Sequence, residues 1–272
     1  MLNKKILVIG AGNMGEALIK GILKARLAEK DMIFASDIDK ERLSYIRKEV
    51  GIEVFERNKE AIERIPPDVV ILAVKPYQVE EVLNEVDKLI TSRILIISIA
   101  AGITTRSIEE KLREKIPVIR GMPNAPALIG KGVSGITFGK WVELQDKEVA
   151  EAIFSAIGDV VVVEEDLMDA VTGLSGSSPG FVFMIIEALT DAGVALGLSR
   201  EIALRLSCKT VEGSARMVLE TGYHPAILKD KVTSPAGTTI AGIYILEKKG
   251  LRASLMEAVV SSAKKSHELR KE

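Results

Sequence analysis

From Lys5 to about Glu164 the chain alternates short apolar runs with charged amphipathic stretches. The runs are Ile6-Leu7-Val8-Ile9, Met32-Ile33-Phe34-Ala35, Val69 to Val74, Ile94-Leu95-Ile96-Ile97 and Val118-Ile119. A strand that is apolar at every position is buried on both faces. Strands of this kind, separated by helical patterns, predict a parallel sheet with helices on each side. Val133 to Phe138 and Val160 to Val163 read as later edge strands, with a helix over Lys147 to Ala156 between them. The strand signal then stops. Helical periodicity over 168–172, 180–196, 200–220, 226–231, 239–249 and 251–270 predicts a second, all-helical domain. The expected division is therefore 1–164 and 165–272.

The glycines after the first run say what such a sheet is for. Gly10-Ala11-Gly12-Asn13-Met14-Gly15 follows Ile9 directly and opens a helix, the context in which GxGxxG binds a dinucleotide. The first glycine permits the tight turn, the second lets backbone approach a pyrophosphate, and the third lets helix and strand pack closely. Asp37 ends the second run about twenty residues beyond Gly15, where a carboxylate accepts hydrogen bonds from an adenosine ribose. It would repel a 2′-phosphate and so favours NADH over NADPH, although the neighbouring Ser36 offers a phosphate a hydroxyl. Ala73-Val74-Lys75-Pro76 and Ile99-Ala100-Ala101 follow later strands at their carboxyl ends, where ligands of open α/β sheets bind. A doubly wound sheet of Rossmann type is expected.

Composition narrows the partners. Thirty-seven Lys and Arg against 38 Asp and Glu leave a net charge of −1, which gives no field to attract nucleic acid or an anionic membrane. The single cysteine, Cys208, forms no internal disulfide and lies on an apolar helical pattern, reading as a small core residue in a reducing cytoplasm. No apolar stretch reaches the roughly 20 residues that span a bilayer, so no membrane is expected. The segment from Phe181 to Leu196 is apolar on nearly every face, interrupted by Glu187, Thr190 and Asp191. A helix of that kind must be surrounded by protein, and about 108 residues enclose it poorly. A homodimer through the helical domain is expected.

The helical half carries two segments rich in hydroxyls and glycine, Ser175 to Gly180 and Ser234 to Thr239. Read as helix mouths, they present unpaired N–H groups that hold a small carboxylate without a cationic side chain; ordinary N-caps have the same composition. The two histidines, His224 and His267, lie far in sequence from the cofactor motifs, which disfavours a histidine-based dehydrogenase, and no ligand spacing implies a metal.

Taken in order, Gly10 to Gly15, Ala73 to Pro76, Met122-Pro123-Asn124, Gly173 to Pro179, Glu187 to Gly193 and Ser234 to Ile240 resemble the pyrroline-5-carboxylate reductases over essentially the whole chain. The resemblance implies reduction of a cyclic imine carboxylate to L-proline by NAD(P)H. It implies Thr239 as the contact to the imine nitrogen, Ser234, Gly237 and Thr238 as holders of the carboxylate, and Glu165 and Thr172 at the pocket wall. It places Asn58 near the adenosine half and Ile99 to Ala101 near the nicotinamide, and it implies an interleaved dimer, with rings of dimers in some members. Ser178, Gly180, Phe181 and Ala236 depart from the family's usual residues, which leaves room for a related cyclic imine. A β-hydroxyacid-type dehydrogenase would need a lysine on the central helix, and none occurs from Gly176 to Cys208. A non-catalytic dinucleotide sensor would share the fold.

Overall fold

The structure is a computed structural model and describes residues 2–269. Among the described residues its contacts divide into two units, 2–177 with 261–269, and 178–260. The expected boundary at 164/165 thus falls inside the first unit, and the segment from Ser261 returns to it.

The first unit is built on one eight-stranded sheet. Its strands are β1 (Ile6–Ile9), β2 (Ile33–Ser36), β3 (Glu53–Phe55), β4 (Val69–Leu72), β5 (Leu95–Ser98), β6 (Val118–Met122), β7 (Gly132–Phe138) and β8 (Gly158–Val162), in the order β3-β2-β1-β4-β5-β6-β7-β8. All neighbours are parallel except β6 and β7, which are antiparallel. The apolar runs became the central strands because each is covered twice. One face packs Ile6, Val8, Ile71 and Ile97 against α1 (Asn13–Lys24), α2 (Lys40–Glu49) and, farther along the sheet, α6 (Leu144–Ser155). The other packs Leu7, Ile9, Leu72 and Ile96 against α3 (Asn58–Arg64), α4 (Val79–Val86) and α5 (Thr105–Glu109). Two differences from expectation stand out. β7 is interior, between β6 and β8, because its antiparallel pairing inserts it beside β6. β3, only three residues long, carries the exposed Glu53 and has no continuous apolar run.

After β8 a 3-10 turn (Glu165–Leu167), α7 (Met168–Val171) and a π-helical turn (Thr172–Gly176) lead to α8 (Ser178–Ala195). The second unit continues with α9 (Arg200–Thr221), α10 (Pro225–Lys231), α11 (Thr238–Lys248) and the first part of α12 (Leu251–Glu268). Gly193 of α8 lies against Ala203 of α9, where a Cβ would crowd it. Among the described residues of this unit only Thr190, Ala203, Ser207 and Leu228 are buried. Cys208 is exposed, contrary to the core position expected of it, because the face of α9 that bears it has no cover within the unit. Within the helical run Glu165–Ala195 an 18-residue window has a mean hydropathy of 1.3, long and apolar enough to cross a membrane by those measures alone.

Candidate active site

The carboxyl ends of β1 and β4 diverge, since β1 continues toward β2 on one side and β4 toward β5 on the other. This is the switch point at which doubly wound sheets bind ligands. The glycine-rich turn sits there. Gly10 has φ +98°, which a side chain would strain, and its missing Cβ would stand 2.6 Å from the carbonyl oxygen of Ala73. A Cβ on Gly12 would meet nothing within 4 Å, so the turn has open space where a pyrophosphate would pass the N-terminus of α1.

Asp37 braces this turn as well as bordering it. Ala11 N–H donates to its Oδ2 at 2.7 Å, and Asp39 N–H to its Oδ1 at 2.9 Å. Arg42 adds a second strap, donating from Nε to the carbonyl of Ala11 and pairing with Glu16 in the first turn of α1. Burial alone would raise the pKa of Glu16, but hydrogen bonds from Lys20 and Arg42 outweigh it and hold the carboxylate below its ordinary value. Next to Asp37 is a cavity of about 160 Å³ lined by Ile9, Gly10, Ser36, Asp37, Asn58, Val74, Glu81 and Glu85, among others. Ser36 is fully buried and donates from Oγ to Asn58 Oδ1 at 2.7 Å, while Asn58 Nδ2 donates to Glu85 Oε2 at 2.8 Å. Three carboxylates and no Lys or Arg line the cavity. These residues fit the adenosine half of a nicotinamide dinucleotide.

In open α/β sheets the other half of such a ligand would lie over the carboxyl ends of β4 and β5. Lys75 is exposed, and its N–H donates to Gln78 Oε1 at 3.2 Å. Ile99 N–H bonds the carbonyl of Leu72 at 3.0 Å, and Ala100 is buried beneath the same loop. Asn124 clips the segment after β6 in place: it accepts from Val133 N–H at 3.0 Å and donates to the carbonyl of Ser175 at 3.1 Å.

Glu165 and Thr172 both make hydrogen bonds within the first unit. Thr172 Oγ1 donates to the carbonyl of Met168 at 2.9 Å. Glu165 Oε1 pairs with Arg120 Nη1 at 2.6 Å, and its Oε2 accepts from Thr105 N–H at 3.1 Å and Thr105 Oγ1 at 2.7 Å. The sequence reading missed Arg120 and Thr105, though a lone charge within the buried run of β6 was the available signal.

The two hydroxyl-rich segments differ. Ser175 to Gly180 is no free helix start, because the π-turn runs into α8 and Ser177 N–H already bonds the carbonyl of Thr172 at 2.9 Å. Ser234 to Thr239 is one. Gly237 is the N-cap of α11 and supplies no side-chain cap, so the N–H groups of Thr238, Thr239 and Ile240 have no partner among the described residues. The hydroxyls of Ser234, Thr238 and Thr239 are likewise unpaired there. The mouth thus offers three amide donors and three hydroxyls, and no ionisable side chain.

Residues 165–269 match the family described as pyrroline-5-carboxylate reductase dimerisation, and residues 5–102 match the one described as NADP oxidoreductase coenzyme F420-dependent. The chain is 47% identical to a pyrroline-5-carboxylate reductase of Methanosarcina acetivorans, over 100% of both chains. The chain belongs to the pyrroline-5-carboxylate reductase family. Solved structures agree. A Plasmodium falciparum pyrroline carboxylate reductase with NADP bound superposes with a TM-score of 0.90 at 34% identity, over 99% of both chains. One from Coxiella burnetii gives 0.89 at 35% identity, over 98% of both. Family membership brings the nicotinamide dinucleotide and a dimerisation domain with it.

Proposed function

We propose that this chain catalyses reduction of 1-pyrroline-5-carboxylate to L-proline, with NADH as its preferred electron donor. The observation that carries the substrate reading is the mouth of α11: three unspent amide N–H groups at a positive helix end, beside free hydroxyls and without any acid or base. The amides of Thr238 and its neighbours, with Ser234 and Gly237, hold the carboxylate, and the Thr239 hydroxyl hydrogen-bonds the ring nitrogen. A protonated imine carries its own activation, so the chain's task is positional. A reduced nicotinamide, held by the residues of the glycine-rich turn and of the loops after β4 and β5, would supply the hydride.

The donor preference rests on the cavity beside Asp37. A 2′-phosphate there would meet Asp37, Glu81 and Glu85, and the one nearby hydroxyl, that of Ser36, is buried and already bonded to Asn58. The exposed apolar faces of α8 and α9 support a homodimer through the helical unit as their cover in place of lipid, and rings of such dimers follow from the family resemblance alone. The net charge of −1 gives no field to attract nucleic acid or an anionic membrane, and this reading takes the apolar helix faces as a subunit interface of a cytoplasmic enzyme.

The test is oxidation of NADH and NADPH with pyrroline-5-carboxylate, for the wild-type chain and Thr239→Ala. Turnover with NADH at the higher kcat/KM is expected, and on the order of 10 to 1000-fold slower turnover in the variant with NADH affinity retained. Oxidation of neither cofactor would refute the assignment, and a higher kcat/KM with NADPH would refute the donor preference.

A further inference from the structure

The face of the sheet that is apolar under α3 and α4 turns polar at its far side, where Ser98, Arg120 and Thr137 stand in register on β5, β6 and β7. Arg120 is fully buried. A guanidinium in that position needs a counter-ion, and Glu165 is its only anionic partner among the described residues; the second terminal nitrogen, Nη2, has no partner there. The same carboxylate receives both the N–H and the hydroxyl of Thr105. Thr105 is the first residue of α5 and therefore the far end of the loop that leaves β5 at Ile99. That loop is pinned at its start by the Ile99 to Leu72 hydrogen bond and at its end by Glu165. Between the pins Gly102 turns the chain with φ +76°.

We infer that Glu165 is a positioning residue: seated on Arg120, it fixes the loop Ile99 to Thr104 through Thr105, and so sets the floor under the nicotinamide half of the cofactor. This rests on the reading above for the identity of the ligand over β5, and it replaces a direct contact between Glu165 and substrate. Oε1 faces Arg120 and Oε2 takes two donors from Thr105, which commits three of the carboxylate's roughly four acceptor sites within the first unit.

The experiment compares NADH with ADP-ribose, which lacks the nicotinamide, by binding titration on the full chain. The variants are Glu165→Gln, Thr105→Val and Thr105→Ser. Thr105→Val leaves the Arg120 pair untouched, so it reports on the loop even if Glu165→Gln folds poorly. NADH affinity falls roughly 5 to 30-fold in Glu165→Gln and a few-fold in Thr105→Val, Thr105→Ser restores it, and ADP-ribose affinity stays within about 2-fold throughout. With the imine, kcat falls at least as far as NADH affinity, because misplacement on the order of 1 Å costs up to about 100-fold. Equal changes for NADH and ADP-ribose, or none for either in Thr105→Val, would overturn the inference. So would a loss confined to the KM of the imine, which signals a direct substrate contact. A wild-type chain that binds NADH but never oxidises it with the imine would sink the functional reading alone, since the two affinities still test the loop.

Discussion

The two units of this chain bury apolar surface to very different degrees. In the first, Ile6, Val8, Ile33, Val69, Ile71 and Ile97 are all at 0% exposure, and helices seal both faces of the sheet. In the second, Phe183 and Met184 of α8 stand 61% and 68% exposed, Leu206 and Leu219 of α9 are open as well, and two of the four buried side chains are Thr190 and Ser207. α8 and α11 are more apolar along their length than α1, which the sheet buries. The first unit thus closes its core within one chain, whereas the second leaves apolar helix faces uncovered, in keeping with its match to a dimerisation domain.

Matched substitutions break or sharpen this comparison. Phe183→Asp buries a charge at the proposed interface and should have the largest effect, raising the dimer dissociation constant by 1000-fold or more, read by light scattering across a dilution series. Ile71→Ala in the sheet core should instead cost about 2 to 5 kcal/mol of unfolding free energy and leave the dimer assembled. If Phe183→Asp remains dimeric at micromolar concentration, the helical unit is not the interface.

A smaller effect is expected at Ala236, whose φ of +56° puts a β-carbon in the left-handed region just before the mouth of α11. Ala236→Gly should stabilise the chain by about 0.5 to 1 kcal/mol in chemical denaturation, because relief of strain exceeds the added freedom of the unfolded chain. The smallest effect concerns the strap on the glycine-rich turn. Glu16 has a lowered pKa, so its contribution is fully present above the ordinary carboxylate value of 4.5 and is lost as pH falls through its native value. Glu16→Gln should lower stability by under about 1 kcal/mol at neutral pH, with the difference from wild type shrinking below pH 4.5. A constant difference down to pH 3 would mean that the Arg42 and Lys20 pairs do not stabilise the fold.

The same contrast in burial governs what the sequence made legible. β1, β2, β4 and β5 were plain because burial on two faces demands unbroken apolar runs, and the glycine turn was plain because Gly10 and Gly15 have steric duties that no other residue meets. β3 was obscure because one of its three residues faces solvent. The place of β7 depends on pairing with β6, a long-range contact that leaves no local trace. The mouth at Ser234 to Thr239 was legible as composition. The apparent mouth at Ser175 was not separable from it, since only coordinates show that a π-turn has already taken up Ser177 N–H. The brace at Glu165 joins residues 45 and 60 positions apart, and its one local sign is an arginine in an apolar strand.

The return of α12 to the first unit bears on how the chain is made. Asp169 on α7 accepts from Ser266 Oγ at 2.8 Å, 97 positions later, and lies 3.2 Å from the ring of His267. A ribosome adding about 5 to 20 residues per second leaves Asp169 without those partners for roughly 5 to 20 seconds. Throughout that interval the sheet is complete while its last tie is still unsynthesised, so the nascent first unit finishes only after the whole helical unit has emerged.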